Sequence, residues 1–424
     1  MPFMSIASHM DARYAGRTNL CAEPAALGAP ATISRKRSAA MSRRPIGVHL
    51  YSGVGGMGLG FEQAGFDVVA AVDIDEKNIE LHSRNFPNCK AWCADLSLVS
   101  GDQIRKQTQL GDRQVDVLFA GPPCQGFSLI GKRASDDPRS ALLVDLARLI
   151  SELSPSYFVV ENVEGVLLRD AKDKLDTFVR KVKESGYSVV DPIRVLDAAE
   201  FGVPQRRRRV FVLGYKANLS APAYPLPSHP YDKEKGNEGP TVWDAIGDLP
   251  NISEFSYLLE KDSYSGRLGK PSYYAKVLRG EVHDPEDKSR KRSSNGDGLG
   301  GCLRTTHTSE TIERFRLTKP GHSEAVSRYY RLSKTGISPT LRAGTGPDKG
   351  SFMAARPIHP SQNRCITVRE AARLHSFPDW FYFHPTKWHG FRQVGNSVPP
   401  FLARAVAAGI IWAVNQNTRL QQGA

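Results

Sequence analysis

Hydrophobic positions from residue 45 onward form short apolar runs that alternate with stretches of helical spacing. Apolar runs of about four to eight residues between turn residues are typical of buried strands, and apolar residues three and four positions apart indicate a helix. The predicted strands are 46–51, 67–75, 115–121, 156–163, 189–196 and 208–215, and the predicted helices are 76–85, 140–153 and 173–185. This alternation predicts a doubly wound, Rossmann-like α/β sheet with helices on both faces.

The pattern changes after residue 215. The next stretch, 216–362, is rich in Pro, Gly, Ser, Lys and Arg and has few long apolar runs, which indicates a smaller, irregular inserted domain. Within it, residues 284–301 are predicted to form a mobile loop. Helical spacing returns at 367–377, with Thr367 as its N-cap, and at 401–414. We therefore divide the chain into 1–44, 45–215, 216–362 and 363–424.

Composition narrows the class of protein. Residues 1–44 lack hydrophobic periodicity and are predicted to be disordered, with an organellar transit peptide as the alternative. No apolar run reaches the roughly 18 residues that span a bilayer, so a membrane partner is not expected. The net charge of +13 favours a polyanionic partner such as DNA or RNA. Six scattered cysteines without a C-x-x-C pair predict free thiols in a reducing cytoplasm and no metal site.

A glycine loop follows the first predicted strand. Gly53, Gly55 and Gly58 spell G-x-G-x-x-G, and Asp73 stands at the tip of the second strand, where an acid can bind ribose hydroxyls. The loop is predicted to bind a nucleoside-bearing cofactor, and a tight turn that needs only glycine geometry is the alternative. The glycines alone leave NAD and S-adenosylmethionine open. Asp95, after a third strand, could accept from an adenine amino group, which suits a methyl donor better.

Candidate chemistry follows two later strands. The segment GPPCQGFS, residues 121–128, places Cys124 at the carboxyl end of a strand, where open α/β sheets bind ligands. Two prolines stiffen the turn, so Cys124 is a candidate nucleophile, and a buried structural thiol is the alternative. Glu161 ends the next strand as a candidate general acid, although it could equally be a capping or solvated carboxylate.

Four arginines begin the last strand in QRRRRV, residues 205–210. Strand alternation sends Arg207 and Arg209 to one face and Arg206 and Arg208 to the other. One pair could therefore bind an anion or a carbonyl oxygen in a site, and a solvated basic edge is the alternative.

Together these segments resemble the DNA (cytosine-5)-methyltransferase family of bacterial type, from about residue 45 to residue 414. The glycine loop, GPPCQGFS, ENV at 161–163, QRRRRV and VGNSVPP at 394–400 match the family's motifs in order. The irregular stretch 216–362 lies where the family carries its target-recognition domain. The resemblance implies the class I S-adenosylmethionine-dependent methyltransferase fold, and it implies that the G-x-G-x-x-G match to dinucleotide-binding proteins is coincidental.

The resemblance also implies a role for each matched position. The implied cofactor contacts are Tyr51, Gly53 and Gly55 at the methionine, Asp73 at the ribose, Ile74 and Asp95 at the adenine, and Pro123, Asn396 and Ser397 around the pocket. The implied catalytic residues are Cys124, Glu161, Arg207 and Arg209, and the implied DNA contacts are Gln125, Ser128, Gln205 and Thr340. The family often has Phe at the position of Tyr51, and Glu followed by an aromatic residue at positions 73 and 74, so these are mild departures.

The implied reaction moves a methyl group from S-adenosylmethionine to C5 of a cytosine flipped out of a short duplex sequence. It passes through a covalent bond between Cys124 and C6, leaves S-adenosylhomocysteine, and uses no metal. The expected setting is the bacterial cytoplasm, with a monomer acting on double-stranded DNA alone or beside a separately encoded restriction endonuclease. The alternatives are a tRNA cytosine-5 methyltransferase, a non-catalytic DNA-binding protein and an NAD-dependent oxidoreductase.

Overall fold

The computed structural model describes residues 43–123, 142–232, 236–292, 298–344 and 356–422. The chain from Arg44 onward groups as one compact unit. The divisions at residues 216 and 363 therefore stay sequence-based predictions. Below, residues 45–215 are called the sheet region and residues 216–362 the recognition segment. The predicted extension 1–44 lies almost entirely outside the described residues.

A mixed sheet of eight strands forms the centre of the sheet region. Its strands are β1 (Ile46–Leu50), β2 (Asp67–Asp73), β3 (Lys90–Cys93), β4 (Val117–Ala120), β5 (Tyr157–Asn162), β6 (Tyr187–Val189), β7 (Arg194–Asp197) and β8 (Arg208–Lys216). The order is β3-β2-β1-β4-β5-β8-β6, and β7 pairs with the first half of β8. The first five strands are parallel and β8 is antiparallel to its neighbours. This confirms the predicted α/β class, although the predicted strand 189–196 is two short strands.

Helices cover both faces of this sheet. The helices are α1 (Gly56–Ala64), α2 (Glu76–Asn85), α3 (Gly101–Gln107), α4 (Leu142–Leu153), α5 (Arg169–Glu184), α6 (Val242–Ile246), α7 (Tyr273–Arg279), α8 (Ser309–Leu317), α9 (Val368–Arg373), α10 (Lys387–Asn396) and α11 (Pro400–Gln422). One apolar cluster joins α1 and α11 to one sheet face, and a second joins α4 and α5 to the other. Apolar side chains alternate between these two clusters along β4, β5 and β8, which is why both faces need a helical layer.

The C-terminal segment begins with the predicted N-cap, and its last helix, α11, continues beyond the predicted end at residue 414. Thr367 caps α9 through a capping box with Glu370, which confirms the predicted N-cap. Residues 387–420, in α10 and α11, are apolar and long enough to cross a membrane by length and composition, contrary to the expectation from apolar runs. Half of that apolar window is buried, and α11 packs against α1, as expected of a core helix in a globular domain.

The recognition segment is irregular, as predicted, with the short helices α6, α7 and α8 and a two-stranded ribbon of β9 (Tyr231–Asp232) and β10 (Gly236–Asn237). One prediction within it is wrong. Residues 284–292, expected to be mobile, are bonded to α1 and α11, beginning with the Lys288 amide, which donates to the Gln63 carbonyl at 2.8 Å. Polar composition concealed this order, because the partners of these side chains lie far away in the sequence.

Candidate active site

The functional edge of the sheet is set by its topology. The chain leaves β1 toward β2 and β3 on one side, and β4 and β5 lie on the other side. The carboxyl ends of these parallel strands meet at a switch point between β1 and β4, which is where open α/β sheets bind ligands. The loops after β1 to β5 therefore converge, and they carry most of the candidate residues of the sheet region.

The glycine loop after β1 is built from left-handed backbone. Tyr51 and Gly53 both have φ of 52°, and Gly55 has φ of 104°. A Cβ on Gly55 would lie 2.3 Å from the Phe86 ring, so no other residue fits there without a shift. Gly55 caps α1 without a side-chain hydrogen bond. The first amides of α1 are thus oriented as donors toward the loop, an arrangement that accepts a carboxylate.

Asp73 joins this loop to the start of α2. Its Oδ2 accepts from the Gly53 amide at 2.8 Å, and its Oδ1 accepts from the Asp75 amide at 2.9 Å and from Asn78 Nδ2 at 3.2 Å. Burial raises the pKa of Asp73, and these hydrogen bonds oppose the shift. Beside it Ile74 is 69 % exposed at the same edge. The acid therefore fixes the loop in addition to any ligand it holds.

The adenine side and the far wall of the edge come from β3 and from the C-terminal motif. Asp95 follows β3, and its Oδ1 accepts from the amide and the hydroxyl of Ser97 at 2.9 and 2.8 Å. Asn396 is exposed at the end of α10. Ser397 packs so closely on α1 that a Cβ on Gly56 would lie 2.9 Å from its Cβ. VGNSVPP thus returns to the glycine loop, although 340 residues separate Gly56 from Asn396 in the sequence.

The end of β4 faces the end of β5. A Cβ on Gly121 would lie 3.3 Å from Glu161 Oε2, so the first residue of GPPCQGFS adjoins the candidate acid. Pro123 is exposed. Cys124, Gln125 and Ser128 lie outside the described residues. Their predicted roles therefore rest on the sequence.

Glu161 and the arginines form the charged centre of this edge. Glu161 is 8 % exposed, and Arg209 Nε lies 2.9 Å from its Oε1. Burial raises the pKa of Glu161, while Arg209 and then Arg207 oppose that shift. The protonated acid is therefore favoured relative to an exposed glutamate, and the carboxylate has a cation beside it when it ionises.

Arg207 takes a different place. Its side chain is 1 % exposed, and its two terminal nitrogens donate to the carbonyls of Leu341 at 2.9 Å and Gly395 at 2.7 Å. It thereby ties β8 to the recognition segment and to the C-terminal motif at once. Arg206 and Arg208 point to the opposite side and pair with Asp197 and Glu164, as strand alternation predicts.

Gln205 is fully buried rather than exposed toward DNA. Its Oε1 accepts from the Leu341 amide at 2.9 Å, and its Nε2 lies 3.2 Å from the Leu374 carbonyl and 2.9 Å from His375 Nδ1. In this structure the Gln205 side chain therefore holds these parts of the chain together, and both of its polar atoms are taken by protein partners. Thr340 donates from its hydroxyl to the Arg206 carbonyl at 2.6 Å and remains partly exposed.

His375 was not predicted from the sequence. It is fully buried, and its Nε2 donates to the Ser397 carbonyl at 2.9 Å, which leaves Nδ1 to accept from Gln205. Burial lowers the pKa of His375 well below its usual value, so the ring is neutral. His375 follows α9 in the sequence, where polar residues are common, and one of its partners is a backbone carbonyl. No sequence signal therefore marks it. Among the described residues no cluster of three or more His, Cys, Asp or Glu could hold a metal ion.

A comparison of the sequence with protein families identifies the class of enzyme. The model of the C-5 cytosine-specific DNA methylases matches residues 47–412, and the chain therefore belongs to this family of enzymes, which methylate cytosine in DNA at C5. The match begins in β1, ends in α11, and includes the whole recognition segment.

The alignments with individual relatives cover most of the length of each relative. Type II methyltransferase M.XorII of Xanthomonas oryzae pv. oryzae is 49 % identical over 88 % of this chain and 86 % of its own. Type II methyltransferase M.AgeI of Thalassovita gelatinovora is 31 % identical over 87 % of this chain and 99 % of its own. A crystal structure of an Escherichia coli prophage protein, described as a DNA modification methyltransferase, has a TM-score of 0.68 at 32 % identity and covers 88 % of this chain and 99 % of that one.

Proposed function

We propose that this methyltransferase transfers the methyl group of S-adenosylmethionine to C5 of a cytosine flipped out of duplex DNA, at one short sequence. The observation that carries the proposal is the position of Glu161. It is a buried acid at the carboxyl edge of the sheet, it adjoins the first residue of GPPCQGFS, and it pairs with Arg209. We call residues 121–128, which include Cys124, the thiol loop. A buried acid beside a loop that carries a nucleophilic thiol is what attack on a pyrimidine ring needs.

The residues at the edge fit S-adenosylmethionine. The start of α1, which has no side-chain cap, suits the amino-acid carboxylate, Asp73 suits the ribose hydroxyls, and the exposed Ile74 offers an apolar surface for the adenine. Asp95, Pro123, Asn396 and Ser397 would complete the pocket, with Tyr51, Gly53 and Gly55 along the methionine. When bound, the cofactor supplies an electrophilic methyl group and leaves as S-adenosylhomocysteine. The site requires no metal for this step.

The chemistry begins at Cys124. Its thiolate adds to C6 of the flipped base while Glu161 donates a proton to N3, so that C5 gains enamine character. C5 then forms its bond to the incoming methyl group. A base, which can be water, removes the C5 proton, the bond from C6 to sulfur breaks, and the thiolate is restored. N3 returns its proton to the Glu161 carboxylate, so the acid is ready for the next turnover. Burial raises the pKa of Glu161, which favours its protonated form relative to an exposed glutamate and supports its role as the proton donor.

The arginines serve this sequence in two ways. Arg209 stabilises the carboxylate that Glu161 becomes after it has given up its proton. Arg207 holds the ends of the recognition segment and of VGNSVPP through Leu341 and Gly395, so it acts as a positioning residue. Gln205 does the same through Leu341 and His375, and any DNA contact in this part of the edge falls to Thr340, with Gln125 and Ser128 in the thiol loop.

The partner of this enzyme is double-stranded DNA, to which its +13 charge is suited. The recognition segment would choose the sequence by contacts to base edges and phosphates. We expect a monomer in the bacterial cytoplasm, either alone or with a restriction endonuclease encoded separately, since the relatives M.XorII and M.AgeI are named Type II methyltransferases.

The test is base-resolution mapping of 5-methylcytosine after incubation of the purified protein and S-adenosylmethionine with unmethylated plasmid and, separately, with tRNA. Methylation at one recurring DNA sequence is expected, and methylation of tRNA alone would instead establish the RNA alternative. Cys124→Ser should abolish turnover and leave S-adenosylmethionine binding, measured by calorimetry, intact. Turnover by the serine variant at the wild-type rate would refute the covalent route, and absence of all binding by the wild-type protein would refute the cofactor assignment.

A further inference from the structure

A polar strap crosses the sheet region on the side of α1 and α11. It consists of Asp284–Arg292, nine residues of the recognition segment. Its backbone and side chains bond to α1, to Asp67 at the start of β2, and to α11. Three of these contacts place charged groups against groups that are buried or mostly buried. The strap therefore makes a defined interface with the sheet region.

One end of the strap holds α1 through Glu62. This carboxylate is 4 % exposed within a helix whose nine residues are all buried. Its Oε1 accepts from the Arg290 amide at 3.0 Å, and its Oε2 accepts from an Arg292 terminal nitrogen at 2.6 Å. Both oxygens are thus bound by the strap. A buried carboxylate needs such partners, so the strap compensates a charge that α1 carries in its interior face.

The other end of the strap holds α11. Asp284 forms an ion pair with Arg404, whose second terminal nitrogen lies 3.6 Å from Glu286. At the same level α1 and α11 approach each other closely: a Cβ on Gly60 would lie 2.5 Å from the Cβ of Ala403. The strap therefore braces the two helices at their contact. α1 begins with the glycine loop, and α11 follows directly on VGNSVPP, so these helices carry two walls of the cofactor pocket.

Arg292 reaches the glycine loop by a second route. Its guanidinium lies 5.0 Å from the centre of the Phe86 ring and 4.8 Å from that of Trp380. The Phe86 ring is the group that a Cβ on Gly55 would meet at 2.3 Å. The chain of contacts from the strap to the loop thus has one intermediate side chain, and a cation on the face of that ring fixes its position.

We propose that Arg292 is a positioning residue for cofactor binding, and that the strap Asp284–Arg292 couples the recognition segment to the cofactor pocket. The proposal rests on the proposed function for the identity of the ligand. Because the contacts of the strap lie at α1, at the start of β2 and at α11, while the Glu161–Arg209 pair lies on β5 and β8, loss of the strap affects cofactor affinity more than the chemical step.

Arg292→Met is the direct test, since methionine keeps much of the length and removes the charge. The dissociation constant and the KM for S-adenosylmethionine should rise about 3- to 30-fold, with kcat and the dissociation constant for DNA changed less than about twofold. Arg292→Lys keeps a cation near Glu62 and Phe86 and should recover part of the affinity. Calorimetry gives the binding constants, and initial rates of tritium transfer give KM and kcat.

Arg290→Met is the matched control within the strap. The Arg290 side chain pairs with Asp67 at 2.7 Å, and the two side chains are 43 and 31 % exposed, while the hydrogen bond from the Arg290 amide to Glu62 survives the substitution. An exposed pair contributes little, so S-adenosylmethionine binding should match that of the wild-type protein. Equal losses in the Arg290 and Arg292 variants would overturn the assignment, since they would show a general loosening of the strap.

Asp284→Asn tests the other end should the Arg292 variant fail to fold. It should raise the same KM by a smaller factor and increase hydrogen exchange in residues 51–60, at unchanged kcat. Wild-type affinity in a folded Arg292→Met protein, or in Asp284→Asn, would refute the positioning role while the proposed function stands. Failure of the wild-type protein to bind S-adenosylmethionine would refute the proposed function itself, and the strap proposal would fall with it.

Discussion

In the sheet region two extended apolar clusters lie on either face of the sheet, one with α1 and α11 and one with α4 and α5. The recognition segment adds α6 and α7 to the first of them. Its own apolar clusters, among the described residues, are small, with five buried side chains around Leu258 and two, Phe315 and Ile358, that pack with Cys365 of the C-terminal segment. The recognition segment therefore has no large apolar core of its own among the described residues and buries most of its apolar side chains against the sheet region or in small clusters.

Where the recognition segment meets α9, the contacts include buried ion pairs. Arg373, fully buried, pairs with Asp248 of the recognition segment at 3.1 Å and with Asp379 at 2.6 Å. Near it Arg364 and Glu370 form a bidentate pair with distances of 2.8 and 2.7 Å. The Asp248–Arg373 pair connects the recognition segment to the C-terminal segment through directed bonds, and the other pairs fix the C-terminal side of this contact.

The difference has a physical consequence. Apolar contacts are non-directional, so a sheet covered by helices tolerates small shifts of its layers. A buried ion pair adds little net stability compared with an apolar pair of the same shape, but it has a single satisfied geometry. The recognition segment is therefore fixed in orientation more than it is stabilised, which suits the DNA-reading role that we propose for it.

The largest effect is expected from removing the centre of the charged layer. Arg373→Leu leaves Asp379 and part of Asp248 buried without their cation, and should lower the free energy of unfolding by about 3–5 kcal/mol. Urea denaturation followed by circular dichroism measures the change. The control is Arg316→Leu on α8, which breaks an exposed pair with Glu313 and should leave the midpoint unchanged. Similar losses in both variants would contradict the special role of the buried layer.

The same layer should make stability depend on pH. Burial raises the pKa of Glu370, but the charge and hydrogen bonds of Arg364 outweigh it and hold that pKa at about 2. Because the folded value lies below the unfolded value of about 4.3, the unfolded chain binds the proton more tightly. Up to about 3 kcal/mol of stability is therefore fully present above the unfolded value and is lost as the pH falls toward about 2.

Glu370→Gln isolates this contribution. The difference in free energy of unfolding between the wild-type protein and the variant should shrink steadily as the pH is lowered from about 5.5 to about 3. Val159→Ala, in the apolar core of β5, is the control, because no charge is involved and its cost should be the same across that range. A constant difference for Glu370→Gln would show that the Arg364 pair does not set the acid limb.

Much of the sheet region could be predicted from the sequence, because its signals are local. Apolar runs mark the strands, and the cap at Thr367 depends on a residue three positions away. The strap could not be predicted, since Glu62 lies 228 residues from Arg290 and Arg404 lies 120 residues from Asp284. A polar segment whose partners are that remote has the composition of a mobile loop.

The candidate site shows the same division. Glu161 and the Arg207–Arg209 face follow from strand ends and strand alternation, which are local rules. The burial of Gln205 does not, because its partners are the Leu341 amide, the Leu374 carbonyl and His375, and backbone groups leave no mark on a sequence. A motif therefore identifies which residues matter and leaves open whether they touch the ligand or hold the site in place.

Asp73 tests how the sheet region shapes the pocket. Asp73→Ala removes the acceptor of the Gly53 and Asp75 amides together with the proposed ribose contact, so the dissociation constant for S-adenosylmethionine should rise at least about tenfold, or about 1.4 kcal/mol. The control is Asp75→Ala, which removes the N-cap of α2 and leaves both Asp73 bonds in place. It should cost thermal stability and spare the affinity. Unchanged affinity in Asp73→Ala would refute the assignment.

The smallest effect is expected from the capping box, a motif that begins one described helix in each region. Ser100 begins α3 of the sheet region and Thr241 begins α6 of the recognition segment, each with a capping box. Each substitution by alanine should cost about 1 kcal/mol. The Ser100 loss should appear in global unfolding, because Ile104 of α3 is buried in the second apolar cluster.

The Thr241 loss should appear instead as local opening. The α6 amides of Val242 and Trp243 donate to the carbonyls of Gly336 and Lys334, so one turn of helix and one loop of the recognition segment open together. Hydrogen exchange should accelerate in residues 242–246 and 334–338 with a smaller change in the urea midpoint than for Ser100→Ala. Equal shifts of the midpoint would mean that the two regions unfold as one cooperative unit, because polar anchoring would then couple the recognition segment to the sheet as firmly as an apolar core does.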